Sequence, residues 1–534
     1  MTEFEMKLKA ARKAVGLGKM SRRDFMQFAL ASGMTLAAAN TMFASTARAE
    51  AKKGGSFRMA SGHGATTDSL DPALWTNNFQ VVASQSLFGA NLVQIDRKNR
   101  YAPNLAESIE PADGATKWIF KLRKGVTFHN GKSLTAADVV ETYNYHRGES
   151  SKSAVKSALS VVKDIQADGP DTVIFTLNSG SADFPYVTSD YHLPIYPAKD
   201  GGGIEWEKGV SAGPYVLENY EPGVSISGKR NPNYFKEDAA WFDDVEQLAI
   251  VDVAARTNAL LSGEVQFINR ANVKTIDMLK QAPGIEVNNV TGFGHYVAPM
   301  DVRQPPFDKV EVRQALKWAI DRKALVETVL QGYGTPGNDD PIAPAIPYAI
   351  QPEPIYSYDP DKAKALLKKI GMENLKVDLS TSEAAFAGAV DAALLMQSQA
   401  KAAGIDINVI REPDDSYWDN VWMKKPWCMS YWGGRPTCDW MFTTAYEGGA
   451  AWNDTYWNND RFNELLLAAR SETDESKRQA MYAECQQILH DDGGVVVLMF
   501  NDYVSANAST VAHDKLNSNF EDDGGYILER WWMA

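Results

Sequence analysis

Residues 375–411 constrain the fold of this chain more than any other stretch. A strand signal at Lys376–Ser380, a helical stretch Glu383–Ala403 stopped by Gly404, and a second strand signal at Ile405–Ile410 make a βαβ unit. Such a unit places two parallel strands under a crossover helix, so an α/β architecture is expected. The same half carries further helices. Asp308 is expected to cap one over Lys309–Gln331, with Glu311 at the reciprocal position and Val312, Leu316, Ala319, Ile320 and Val326 on one face. Asp359-Pro360 opens another that Gly371 ends. Helices Asp460–Ser471 and Asp474–His490 precede Gly493-Gly494 and the apolar run Val495–Phe500, which reads as a buried strand.

The first half is rich in hairpin signals instead. Lys117–Leu122 alternates at period two, Val126–His129 follows, and Asn130-Gly131 supplies turn chemistry. Thr135 caps a helix running through His146, with Asp138 at its third position. Further strands are expected at Thr172–Leu177, Tyr215–Tyr220, Ser225–Lys229 and Val245–Val251. At 534 residues the chain exceeds what one core supports, so several lobes are expected. No internal repeat is visible.

The N-terminus reads as an export signal. Residues 1–23 are basic, Phe25 to Ala44 is mildly apolar, and Ala47-Arg48-Ala49 places small residues before a cut at Glu50. Ser21-Arg22-Arg23-Asp24-Phe25-Met26 resembles the twin-arginine consensus, which implies export in the folded state. With 68 acidic against 54 basic side chains the net charge is −14, which argues against nucleic-acid and anionic-membrane partners and favours a soluble monomer. Three cysteines cannot build a disulfide framework. Cys428 and Cys438 could bridge, leaving Cys485 free, or all three could stay unpaired.

Two nucleotide-site look-alikes fail. Gly332-Tyr333-Gly334-Thr335-Pro336-Gly337 follows a helix rather than a strand, which makes it a loop, and Gly125…Gly131-Lys132-Ser133 has the wrong spacing for a P-loop. The seven histidines are scattered, no G-x-S-x-G elbow occurs, and Asp243-Asp244 and Asp414-Asp415 read as solvated acidic loops. No enzyme activity, cofactor or metal is therefore expected.

The informative region is 417–457, which holds seven of the fourteen tryptophans. Trp418 and Trp422 have helical spacing and read as core. Trp432 opens the loop Trp432-Gly433-Gly434-Arg435-Pro436-Thr437-Cys438-Asp439, whose diglycine would let backbone approach a ligand and whose proline stiffens the turn. An arginine among aromatics needs an anion, either Asp439 or a ligand. The candidate ligand-binding set is Tyr431, Trp432, Arg435, Asp439 and Trp452, with His295 and Asn78 from earlier in the chain.

Four motifs carry a family resemblance. They are Asn104–Glu107 with Trp118–Gly131 and Leu134–Val139; Gly213-Pro214-Tyr215 with Asn231-Pro232-Asn233-Tyr234; Val312–Leu316 with Ala319–Arg322; and Tyr358-Asp359-Pro360 with Ala363–Leu367. In this order they resemble the dipeptide/oligopeptide-binding family (family 5) of extracytoplasmic solute-binding proteins that serve ABC importers. The resemblance implies a periplasmic-binding-protein-like type II α/β fold, with two hinged lobes and an additional small domain. Lobe one would comprise 50–82, 216–295 and 496–534, the small domain 83–215, and lobe two 296–495, with chain crossings near Tyr296 and Gly494. It also implies a periplasmic protein that closes on a peptide or peptide-like ligand and delivers it to ABC permease subunits. A non-peptide solute such as an opine, amino-acid conjugate or sugar is one alternative, and a secreted enzyme using the cleft is another. In the dipeptide-binding branch an aspartate after the tryptophan meets the ligand's ammonium. Here Arg435 stands at that position, so either Asp439 takes the role or the ligand presents an anion.

Overall fold

The computed structural model describes Phe28 and residues 51–534 apart from 76, 157, 414–416 and 451. The expected signal segment apart from Phe28, the Asp414-Asp415 pair and the Trp418 side chain lie outside the described residues.

The largest sheet has nine strands. Its order is Ser430–Trp432, Ile285–Pro299, Val495–Ala508, Phe267–Ile268, Ser56–Ser61, Asp244–Ala249, Ser225–Arg230 and Tyr215–Glu221, and Gly334–Pro336 also joins Val495–Ala508. Ser56–Ser61 lies parallel to both of its neighbours, whereas the other pairings are antiparallel. Two long strands, Ile285–Pro299 and Val495–Ala508, run through the sheet together, with register shifts between Thr291 and His295 and again between Tyr296 and Val297. Hydrophobic clusters therefore form at both ends of these strands. At one end Val504 and Ala506 pack with Leu260 and Ile268; at the other Val497 and Phe500 gather with Met441 and Phe442, and Val496 and Leu498 with Leu316 and Ala393.

The remaining units are local. A four-stranded antiparallel sheet, ordered Ala106–Ala112, Lys117–Leu122, Thr172–Leu177 and Val162–Ala167, packs with helix Ala136–Arg147 around Trp118, Phe120, Tyr143 and Phe175. Thr135 and Asp138 form the expected capping box on that helix. Leu375–Thr381 and Ile405–Arg411 pair in parallel along their whole length beneath helix Ala389–Ala400, which is the βαβ unit read from the sequence.

Four local expectations are corrected. The helix expected over Lys309–Gln331 is two helices, Val310–Trp318 and Arg322–Val329, and Asp321 rather than Asp308 supplies a side-chain cap, to the second of them. The break sends Arg322 into the interior, where it forks onto Asp339 at 2.7 and 2.8 Å and donates to the Val497 carbonyl at 2.9 Å. The crossover helix begins at Ala389, not Glu383, after Gly388 in a left-handed conformation. Val126–His129 forms only an isolated bridge, between Thr127 and Ser133, and the Gly332–Gly337 segment contributes the short strand Gly334–Pro336. All three cysteines are buried and free.

Candidate functional site

A cleft of about 810 Å³ opens where the two long strands cross between the clusters. Its floor is Gly294 and Tyr296 on one strand and Asn501–Ser505 on the other. Around them stand Asn269–Val273, Ala384–Ala387, Tyr431–Gly434, Leu516, Asn517 and Phe520–Asp523. The late start of the crossover helix releases Ala384–Ala387 to form this wall, and Phe386 stacks flat on Tyr296, with centroids 4.0 Å apart and planes 4° from parallel.

Strand Ser430–Trp432 pairs Tyr431 opposite Tyr296 and Trp432 opposite His295. Tyr431 and Trp432 thus reach the cleft, Tyr431 half-exposed and Trp432 buried. Trp432 belongs to a triangle with Trp422 and Trp452, whose centroids are 6.2–6.5 Å apart. Trp452 is exposed on its outer side and is not among the cleft's lining residues. Trp422 Nε1 donates to buried Asp454 at 3.0 Å.

The diglycine has a different cause from the one its sequence suggests. A Cβ at Gly434 would stand 2.0 Å from Phe293 Cβ, so that glycine is required by the neighbouring strand, while Gly433 has open space around it. Arg435 folds back on the same turn and donates to the carbonyls of Gly433 at 2.7 Å and Gly434 at 3.3 Å. No carboxylate pairs with it among the described residues, and burial disfavours its charged form. Asp439 is held elsewhere, by Arg470 Nε at 3.0 Å, and burial raises its carboxyl to about 6. His295 is fully buried behind the floor, bonded to the Phe293 carbonyl, with burial lowering its pKa to about 4, so it is neutral.

Asn78 lies on the other side, at the start of helix Asn78–Val82, and donates to Asp522 of the cleft wall. The polar residues that dominate this wall were not singled out from the sequence. Arg270 clasps both carboxylate oxygens of Glu521 at 2.7–3.0 Å and donates to His63 at 2.9 Å. Asp502 and Asp522 each line the cleft, and burial raises both carboxyls. The acidic run Glu521-Asp522-Asp523 before Gly524-Gly525 was the available signal, since a charged segment with a diglycine marks an unusual turn.

Residues 100–454 match the model of the family described as bacterial extracellular solute-binding proteins, family 5. The chain belongs to this family, whose members serve ABC importers. Di/tripeptide-binding protein 1 of Pseudomonas aeruginosa is 26% identical over 465 residues, covering 79% of this chain and 85% of that protein. Heme-binding protein A of Haemophilus influenzae is 29% identical over 381 residues, covering 65% and 69%. Among solved structures, HbpA2 from Haemophilus parasuis superposes with a TM-score of 0.80 at 20% identity, over 88% of this chain and 99% of that one. DppA from Helicobacter pylori in complex with the peptide STSA gives 0.70 at 24%, over 90% and 99%. These likenesses establish the two-lobed type II fold for this solute-binding protein. No helix among the described residues is long and apolar enough to cross a membrane.

Proposed function

We propose that this solute-binding protein captures a peptide or peptide-like small molecule in the cleft, in the periplasm, and hands it without turnover to a membrane permease. The observation that carries this reading is the double wall of the cleft. Ala384–Ala387 and Tyr431–Gly434 come from the chain between the long strands, whereas Asn269–Val273, Leu516, Asn517 and Phe520–Asp523 come from outside it. Lobe one is assigned to 50–82, 216–295 and 496–534, the small domain to 83–215 and lobe two to 296–495, with a hinge near Tyr296 and Gly494. Closure about that hinge brings the walls together on the ligand and distinguishes loaded from empty protein. Aromatic faces at Tyr296, Phe386 and Tyr431 suit side chains, and the polar wall suits charged ends. The names of the relatives, which include di/tripeptide- and oligopeptide-binding proteins, support the peptide class. Residues 1–49 act as a twin-arginine signal in this reading, and the exported protein is a monomer.

Native mass spectrometry of protein purified without denaturation, beside melting curves with di- and tripeptides, tests the reading. A peptide at about 100 times its Kd raises stability by about 2.7 kcal/mol. A screen in which opines or sugars stabilise and peptides do not would replace the peptide class. Chemical conversion of a retained ligand would make the protein an enzyme.

A further inference from the structure

The geometry points to a receptor for a ligand ammonium group formed by Asp522 with Asn78 behind it, on the C-terminal wall of the cleft; this rests on the peptide reading above and specifies which end of the ligand meets which wall. Asp522 is 6% exposed, yet it lines the cleft. Its Oδ2 accepts from the amide nitrogens of Asn78 and, at 3.1 Å, Asn269. Among the described residues its buried Oδ1 has no hydrogen-bond partner, and neither has Oδ1 of Asn78. Because the Asn78 amide nitrogen is committed to the carboxylate, its oxygen is fixed as an acceptor. Two buried acceptors on hydrogen-bonded side chains therefore lack donors. An ammonium supplies three donors, no acceptor and the matching charge.

The charge balance of the cleft agrees. Besides tyrosines, its ionisable lining residues are Arg270, Asp502, Glu521, Asp522 and Asp523. Glu521 consumes the Arg270 charge through paired bonds, and Asp523 stands 3.8 Å from both Arg97 and Arg530. No cation pairs with Asp502 or Asp522 among the described residues, and Asp502 Oδ1 is also buried without a partner. The wall is short of positive charge. Burial and repulsion from Glu521 hold the Asp522 carboxyl above the ordinary carboxylate range, so an arriving cation gains by stabilising the ionised form.

The backbone explains how the carboxylate is held. Asp522 and Asp523 both have φ near +57°, and Gly524 and Gly525 continue at +74° and +84°, giving four successive left-handed residues. Asparagine and aspartate tolerate this conformation better than other side chains with a Cβ. The Asp522→Asn variant therefore keeps the turn. Its amide oxygen can accept from Asn78 and Asn269, leaving an NH₂ group in place of the unpartnered Oδ1, which repels an ammonium.

The experiment is calorimetric titration of the wild-type chain and Asp522→Asn with trialanine and N-acetyl-trialanine, with melting curves of both apo proteins. The expected result is that wild type prefers trialanine at least tenfold and that Asp522→Asn loses this preference while still melting cooperatively. Equal affinity of wild type for the two peptides, or a preference that survives the substitution, overturns the ammonium receptor and leaves peptide capture standing. Failure of wild type to bind either peptide overturns the peptide reading and the receptor with it. Should Asp522→Asn not fold, Asn78→Ala replaces it, with a weakened preference expected and an unchanged one overturning the assignment.

Discussion

Arg470 donates from Nε to Asp439 Oδ1 at 3.0 Å, and Arg435, only four residues before that carboxylate, takes no part in the pairing. Helix Cys438–Ala445 turns Asp439 toward the last turn of helix Asp460–Ser471, which carries Arg470. Asp439 is thus a structural anion. Arg470→Ala leaves its buried carboxylate unpaired and should destabilise the apo protein by about 3 kcal/mol, as breaking buried ion pairs does. Chemical denaturation measures this.

Arg435 has the opposite standing, a largely desolvated guanidinium that among the described residues is satisfied by two carbonyls of its own turn. Its removal should cost the apo protein about 1 kcal/mol or less. Arg435 itself does not line the cleft, but it directly follows the lining segment Tyr431–Gly434, so its role as a contact for a ligand carboxylate is open to test. Arg435→Ala should then weaken trialanine binding at least tenfold, and Arg435→Lys should recover little of a forked contact. Unchanged affinity in titration calorimetry would remove Arg435 from the site.

Tyr431 and Trp432 are neighbours with different duties. Tyr431 is 49% exposed and faces the cleft, so Tyr431→Ala should leave stability within about 0.5 kcal/mol while weakening ligand binding. Trp432 is 5% exposed and packs on Trp422 and Trp452, so Trp432→Ala should also destabilise the apo fold, by about 3 kcal/mol. Comparing apo melts with titrations separates the two. Equal stability losses would show that Tyr431 is core.

Regular elements were legible where one rule governed the pattern. Lys117–Leu122 alternates because one face of its sheet is buried, and Asp460–Ser471 keeps a helical period because it packs by one face. The reading of Val495–Phe500 stopped eight residues early for a physical reason. The strand continues to Ala508, but at Asn501 and Asp502 it crosses the cleft and becomes polar, which breaks the apolar run. The same applies to Glu383–Gly388, where helix-forming alanines are withheld from the helix to wall the cleft. Tyr431 and Trp432 could be named because aromatic density marked them. Asp522 sat in an acidic run before a diglycine that marked an unusual turn, whereas Arg270 and Asp502 could not be named, because isolated polar residues look alike in sequence whether they face water or a ligand.

Export offers a test independent of the cleft. If Arg22 and Arg23 form a twin-arginine pair, replacing both with lysine should leave the precursor in the cytoplasm. Fractionation with immunoblotting reads the outcome, and an unchanged periplasmic yield would assign the chain to the general secretory route.

Asp454 provides the pH signature of the tryptophan triangle. Burial raises its carboxyl to about 7, and the Trp422 hydrogen bond only partly offsets that cost. In the unfolded chain the same group titrates near 3.9. Between these values the folded state holds a proton that the unfolded state has released. Stability therefore falls as pH rises from about 4 to about 7, and the contribution is flat outside that window. Three pKa units correspond to about 4 kcal/mol for Asp454 alone, and Asp439 and Asp522, whose carboxyls burial also raises, add to the wild-type decline over the same range with the same sign. Asp454→Asn keeps an acceptor for Trp422 Nε1 and carries no charge. It should flatten the decline, so that the variant matches wild type near pH 4 and exceeds it near pH 8. Urea denaturation at both values measures the difference. A variant less stable than wild type at pH 8 would mean that Asp454 is ionised in the fold and stabilises the triangle as an anion.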